Sequence, residues 1–370
     1  MNTTKSKIVA VHLLNDFSGS PLVFSQALNA LKASGHPIVI HTSEGRSGFL
    51  DLVDATKYYF PYQFYSNLFL RLMAFSFSQL FLFFQLLKYR KENVIIYVNT
   101  LLPFGAALAS FCMKKQTIYH VHESYIKPVL LKSFLRWVAS FTADTIFYVS
   151  NYLYQEEKIG NVNSCVLHNV LPQSFVDRAA KNLYTPSNNG KFTVLMVCSF
   201  KEYKGVPQFI ELANRHPSLN FELVLNASKE EVCLHFTPQH FPSNLSVFSV
   251  QKDLDSFYSR ANLVVNLTNP KQCVETFGMT LLEAMSYGIP VIAPTLGGPV
   301  ELVEETKNGF QIDVHDEAAL DFRLSFLAAN PEFMQQLSVG ARETSKRFGS
   351  DKFKNTLIDV FDLCNKDVRN

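Results

Sequence analysis

The chain has 370 residues and a mass of 42.0 kDa, with 47% apolar and 18% charged residues and a formal net charge of +2. That is enough apolar material for two domain-sized cores and too little charge for a disordered chain, and a pI near 8.1 is below the usual nucleic-acid footprint. The charge is uneven: residues 1–172 hold 15 Lys/Arg against 9 Asp/Glu (+6), the remainder 19 against 23 (−4), so the first half is the one expected to meet an anionic surface or acceptor.

In chain order, Lys7–Leu13 reads as a strand and runs into a turn-rich loop, Asn15 to Pro21, followed by a helix near Leu22–Ser34. His36–His41, Val94–Val98, Gln116–Val121 and Thr145–Val149 are further strand candidates with helical patterns between them. Strand and helix alternating at this rhythm imply a parallel sheet covered on both faces. The polar run Lys181–Lys191 reads as an interdomain linker, after which the rhythm restarts. Strands are expected at Phe192–Cys198, Asn220–Leu225, Leu245–Val250, Leu263–Leu267 and Pro290–Ala293. Helices are expected at Val206–Asn214, from about Gly278 to Ser286, and over most of Glu317–Asn365. No signal peptide is read at the N-terminus. The six cysteines lack zinc-site spacings and fit reduced thiols in a cytoplasmic protein.

One stretch stands apart. From Leu68 to Leu87 every position is apolar except Arg71, Ser76, Ser78, Gln79 and Gln85, and Lys88, Arg90 and Lys91 follow. Arg71, Ser78 and Gln85 recur every seven residues and would form one narrow polar stripe on a helix. Three readings stay open. The polar residues make a membrane span costly. A buried helix of the first domain is the plain reading. A helix lying in a membrane interface, with its basic cluster on anionic headgroups, is the third.

The segment Glu275–Phe310 carries the chemistry. Glu275 lies in a loop after an apolar strand, Gly278 opens a helix, and Glu283 lies in the second turn of that helix. The amides at the helix start, about Gly278 to Thr280, suit a phosphate or diphosphate. Carboxylates beside such a site are poor phosphate ligands but good acceptors for ribose and hexose hydroxyls. The combination points to a nucleotide sugar. Asp253-Leu254-Asp255 looks like a helix start rather than a metal motif.

With its Glu275-Thr276-Phe277-Gly278 loop, the Gly-Ile-Pro-Val-Ile-Ala-Pro strand, and then Gly297-Gly298 and Asn308-Gly309, this segment resembles the retaining glycosyltransferases of family 4. The resemblance implies an α/β GT-B fold: two Rossmann-like domains facing each other across a cleft. Its domains would be 1–180, binding the acceptor; 181–345, binding the nucleotide sugar; and 346–370, a helix crossing back to the first domain. It implies that Glu275 meets donor-sugar hydroxyls. Backbone groups at Thr276, Phe277 and Gly278, and at Met279 and Thr280 of the following turn, would hold the sugar and diphosphate. Glu283 would accept from the ribose.

Lys204 matches the lysine that the family places before a glycine and aims at the diphosphate. Ser199 stands where the family usually has an arginine, and Lys201 is the available substitute. His122, followed by Glu123, matches a strand-end histidine facing the donor sugar, whereas His120 reads as core. Gly19 corresponds to a glycine loop near the donor phosphates, here with one glycine where two are frequent. His122, Lys204 and Glu275 are thus the expected catalytic residues. Asn99-Thr100 and Ser150-Asn151 end strands but receive no role.

The implied reaction is hexosyl transfer from a nucleoside diphosphate sugar to a glycan or lipid-linked acceptor in surface polysaccharide assembly. No metal or other cofactor and no nucleic acid is expected. The expected location is cytoplasmic, or peripheral on the inner face of the plasma membrane, in contact with anionic lipid. A nucleotide-sugar epimerase of the same fold and a catalytically degenerate scaffold are the alternatives. A nicotinamide dehydrogenase is disfavoured, because no G-x-G-x-x-G follows the first strand.

Overall fold

A computed structural model describes residues 5–185, 191–235, 241–251 and 253–367. The chain divides into two compact units: the first is Met1–Val170 with Asp351–Asn370, the second Leu171–Ser350. The division therefore falls at Val170/Leu171 rather than in the polar run Lys181–Lys191, part of which lies outside the described residues. The helix Gln173–Lys181 opens the second unit.

The first unit holds a 7-stranded parallel sheet built from β1 (Lys7–Val11), β2 (Ile38–Ser43), β3 (Thr56–Phe60), β4 (Val94–Asn99), β5 (Gln116–Val121), β6 (Thr145–Tyr148) and β7 (Asn163–Val166). Their spatial order is β3-β2-β1-β4-β5-β6-β7. β4, VIIYVN, is buried along its whole length, as a central parallel strand covered on both faces should be. β3 and β7 are edge strands that the sequence pattern does not announce. The residues of β3, TKYYF, are mostly exposed and lack an apolar run. The last helix, Ser350–Asp367, belongs to this unit from Asp351 onward. Phe361 packs edge-on against Tyr97 of β4, with ring centroids 5.0 Å apart, and Asp362 accepts from Lys5 at 3.0 Å.

The second unit holds a 6-stranded parallel sheet: β8 (Thr193–Ser199), β9 (Asn220–Asn226), β10 (Leu245–Phe248), β11 (Leu263–Val265), β12 (Val291–Ala293) and β13 (Gly309–Gln311). The order is β10-β9-β8-β11-β12-β13. Short β13 is another strand beyond sequence reach, and β10 and β11 end earlier than their apolar runs.

In both sheets the strand order reverses beside the first strand of the unit, between β1 and β4 and between β8 and β11. In open α/β sheets the loops leaving the strands at such a reversal splay apart and leave room for a ligand.

Candidate functional site

In the second unit the strands at the reversal are β8 and β11. β8 ends at Ser199, in register with Asn226 of β9. A single 3₁₀ turn, Glu202–Lys204, then presents Lys204 before Gly205 starts the helix Val206–Arg215. Gly205 is left-handed, with φ +78°, and a Cβ there would lie 2.2 Å from the Leu267 carbonyl oxygen. Glycine at this position lets the Lys204 turn close against the chain leaving β11.

That chain carries the partner. The Lys204 ammonium donates to Glu275 Oε2 at 2.5 Å, and both side chains are about four-fifths buried. Asn266, just past β11, approaches the same oxygen at 3.5 Å and accepts from the Thr268 hydroxyl at 2.6 Å. Burial alone would push the Glu275 carboxyl up. The Lys204 charge, with hydrogen bonds from Lys204, Asn266 and Thr268, outweighs it and holds the group below the usual range. Burial likewise pulls Lys204 down, but Glu275 overrides this and raises it. Both are charged at neutral pH.

The backbone after Glu275 is pinned by Gly297-Gly298. The Gly298 amide donates to the Glu275 carbonyl at 2.9 Å. A Cβ on Gly297 would sit 2.3 Å from that same oxygen, and one on Gly298 would sit 2.1 Å from the Thr276 carbonyl oxygen. Gly278 takes φ +102° and turns the chain into the helix Met279–Ser286, whose first amides, at Met279 and Thr280, have no intrahelical acceptor. The Phe277 ring is core, stacked edge-on against Phe348 at 5.8 Å, so only its backbone is available to a ligand.

Glu283 lies one turn along this helix. Tyr258 donates to its Oε2 at 2.6 Å, and burial raises the carboxyl to about 7. Tyr258 stacks on Tyr287 with centroids 5.3 Å apart, and Tyr287 donates to Asp255 Oδ1 at 2.5 Å. Arg178 closes the chain on Asp255 Oδ2 at 2.5 Å. Asp253 accepts from the Asp255 amide at 2.9 Å, so the Asp-Leu-Asp run serves a helix start and a structural ion pair. Tyr258, Asn266 and Thr268 carry no sequence signal: a tyrosine or asparagine beside an apolar run is ordinary until the fold aims it.

In the first unit the strands at the reversal are β1 and β4, with β5 next. Asn99 ends β4 and bridges two imidazoles. It donates to His12 Nδ1 at 3.0 Å and accepts from His122 Nε2 at 2.9 Å. His12, immediately after β1, has no sequence signature, and Asn99 is the strand-end residue left without a role. Burial lowers His12 to about 4 and His122 well below its usual value, the latter helped by His120 and His12. Neutral imidazoles therefore hydrogen-bond through Asn99. His120 is fully buried, takes a bond from the Tyr97 hydroxyl at 2.9 Å, and is lowered by burial to about 3, as befits a core residue. Glu123 is pushed by burial up to about 7.

Gly19 does not sit in a free loop. It is the first residue of the helix Gly19–Ala33, which begins earlier than the apolar pattern suggests because Ser18 is extended (φ −95°) and Asp16 accepts from its amide at 2.9 Å. Gly19 is absent from the positive-φ glycines, so no left-handed angle calls for it.

Residues 180–344 match the family model of glycosyl transferases group 1. A sucrose-phosphate synthase 4 of Arabidopsis thaliana is 39% identical over 75 residues, which is 20% of this chain and 7% of that enzyme. An uncharacterized glycosyltransferase of Haemophilus influenzae is 26% identical over 272 residues, 70% of this chain and 73% of the relative. The crystal structure of Anabaena HepE in complex with UDP and glucose superposes with a TM-score of 0.77 at 18% identity, covering 96% of this chain and 99% of that one. The structural likeness covers both parallel sheets, and the family-model match lies within the second unit. Residues 180–344 are therefore similar to the glycosyl transferases group 1, in a chain whose two parallel Rossmann-like sheets have the GT-B fold.

Proposed function

We propose that the protein is a retaining glycosyltransferase of family 4, moving a hexosyl group from a nucleoside diphosphate sugar to an acceptor hydroxyl. The observation that carries this is the Lys204–Glu275 pair, with Glu275 on the loop that leads into the helix Met279–Ser286 and is pinned by Gly297-Gly298. The leaving group is a diphosphate whose negative charge grows in the transition state. Lys204 and the Met279 and Thr280 amides are donors fixed in advance at the place where that charge develops, which is electrostatic catalysis. Once the diphosphate engages Lys204, the ionised Glu275 carboxylate turns its lone pairs to the sugar hydroxyls. Glu283 accepts from the ribose.

In the first unit, His122 is a neutral imidazole held by Asn99, able to exchange a hydrogen bond with a sugar hydroxyl without a net charge change. Retention follows in this reading from a front-face displacement in which the leaving phosphate takes the acceptor proton. The leaving-group charge is assigned to lysine and amides, with no metal step. The acceptor is a glycan or lipid-linked sugar of a surface polysaccharide, handled at the cytoplasmic side. The HepE complex with UDP and glucose and the glycosyltransferase relatives support a nucleoside diphosphate donor.

The test is a thermal-shift screen against nucleotide sugars, followed by transfer assays with the hit. A preferred donor at about 100 times its dissociation constant should add about 2.7 kcal/mol. A panel without any stabilising nucleotide sugar, together with no donor turnover, would sink the proposal.

A further inference from the structure

The helix Leu68–Leu86 buries a mixed face and exposes an apolar one. Its buried residues are Phe75, Ser78, Gln79, Leu82 and Leu86, while Phe69 (69% exposed), Phe77 (61%) and Phe84 (62%) face outward. The polar side chains turned inward are satisfied there. Gln79 Oε1 accepts from the Gly105 amide at 3.1 Å, and Gln85 bonds His41 Nδ1 at 2.8 Å and donates to the Tyr59 carbonyl at 3.0 Å. The backbones pack closely as well, since a Cβ on Gly105 would lie 2.1 Å from the Gln79 carbonyl oxygen. Of the polar stripe, Ser78 lies in the docking face beside Gln79, Phe75, Leu82 and Leu86, Gln85 borders it, and Arg71 is half-buried. This helix is seated on its domain by hydrogen bonds that a membrane span would have to break.

Exposed apolar side chains also occur on two neighbouring helices, Phe104–Cys112 and Val129–Thr142. Buried Phe75 ties the first helix to Phe104, and Phe104 meets the partly exposed Phe134, edge to edge with centroids 5.7 and 5.1 Å apart. On the last of these, Leu130 is 83% exposed and Trp137 61%. Trp137 stacks obliquely on Phe141 at 4.9 Å, and Phe141 meets exposed Phe111 at 5.5 Å. The three helices contain no acidic residue, and none occurs between Asp54 and Glu92, whereas exposed Lys88, Arg90 and Lys91 and half-buried Arg71 lie in these segments; Lys132 and Arg136 are paired with Glu157 of a neighbouring helix. A contiguous aromatic surface of this kind needs an apolar partner, and its basic residues need an anionic one.

We propose that these three helices dock the first unit peripherally onto an anionic lipid bilayer, with Phe77, Phe84 and Trp137 in the acyl boundary and Arg90 and Lys91 on the headgroups. A second copy of the chain is the weaker occupant, because a two-fold contact would set the basic residues against their own images. The inference is independent of the donor assignment, since it needs no nucleotide sugar to be tested.

Trp137 is the chain's 1 tryptophan, so intrinsic fluorescence reports on this surface directly. Full-length protein is mixed with vesicles of phosphatidylcholine alone or with added phosphatidylglycerol. The expected result is a blue shift and quenching by brominated acyl chains in the anionic vesicles, weakened by salt. Leu80→Asp with Phe84→Asp, and separately Arg90→Glu with Lys91→Glu, should each lower vesicle partition at least about tenfold while the circular dichroism spectrum is kept, because all four side chains are exposed. Unchanged Trp137 emission with anionic vesicles at low salt overturns the proposal. So does an equal shift with neutral vesicles, or a concentration-dependent shift and dimerisation without lipid, which would name a second copy as the occupant.

Discussion

Lys204 Nζ lies 2.5 Å from Glu275 Oε2, although 71 residues separate them in the chain. Two oppositely charged groups, mostly removed from water, hold one another ionised, each overcoming its own desolvation. An anionic ligand that engages Lys204 would take the place of Glu275 on the ammonium and leave the carboxylate to Asn266, Thr268 and any hydroxyl the ligand brings.

Lys204→Ala and Glu275→Ala should each lower turnover by about 10²–10³ while the fold survives. The two are distinguishable. Lys204→Ala leaves only the Asn266 and Thr268 hydrogen bonds against burial at Glu275, so its carboxyl rises and the variant loses stability as pH climbs above the ordinary carboxylate range. Glu275→Ala lacks that pH dependence. Steady-state rates and melting curves from pH 4 to 8 (about the span that matters) check both. Wild-type rates in both variants would remove the pair from catalysis.

Gly297→Ala should weaken donor binding more than it weakens the fold. Its φ of +101° and the 2.3 Å approach to the Glu275 carbonyl oxygen mean that an added methyl must displace the loop bearing Glu275. A left-handed non-glycine residue costs on the order of 1–3 kcal/mol. Titration of donor against melting temperature separates the effects; a variant that melts early but binds normally would contradict this account.

Glu283 sets a pH dependence. Its carboxyl is raised by burial to about 7, so the folded protein binds a proton there that the unfolded chain releases near 4.5. Stability from this group is therefore present in acid and is lost as pH rises from about 4.5 through 7. Glu283→Gln should remove that slope and melt higher than wild type above pH 7 (roughly where the carboxylate forms). Donor affinity runs the other way, since the ionised form is the better hydroxyl acceptor: it should improve across the same window in wild type and stay flat in the variant. Parallel slopes in the two proteins would refute the assignment.

Asn99 accepts from His122 Nε2 at 2.9 Å and, on the proposed function, would position it. Asn99→Ala removes the acceptor of His122 Nε2 and the donor to His12 Nδ1 together. The rate should fall while the Michaelis constant for donor changes little. Asn99→Asp should do something different: a carboxylate beside two imidazoles raises their affinity for protons and moves the acid limb of the pH–rate profile upward. Identical pH profiles in wild type and Asn99→Asp would reduce Asn99 to a structural role.

Much of this protein is written locally. Apolar runs such as those of β1, β4 and β8 announce parallel strands, because a strand covered on both faces must be apolar throughout. The helix start at Gly278, with Glu275 before it and Glu283 within it, is legible for the same reason: these residues are close in sequence and their chemistry is set by one turn of backbone. Lys204 before Gly205 is legible through its resemblance to a known pattern.

What stayed hidden is what depends on neighbours distant in sequence. Edge strands β3, β7 and β13 are short or exposed, so no periodicity marks them. His12 and Asn99 become partners of His122 only when strand order places β1, β4 and β5 side by side, and Tyr258 reaches Glu283 only across the second unit. The polar stripe of the Phe-rich helix was visible from its sevenfold spacing, but which way it points was not. Helical periodicity fixes which residues share a face; only packing against Gly105 and His41 decided that Ser78 and Gln79 turn inward with Phe75 and Leu82 while Phe69, Phe77 and Phe84 stay outside.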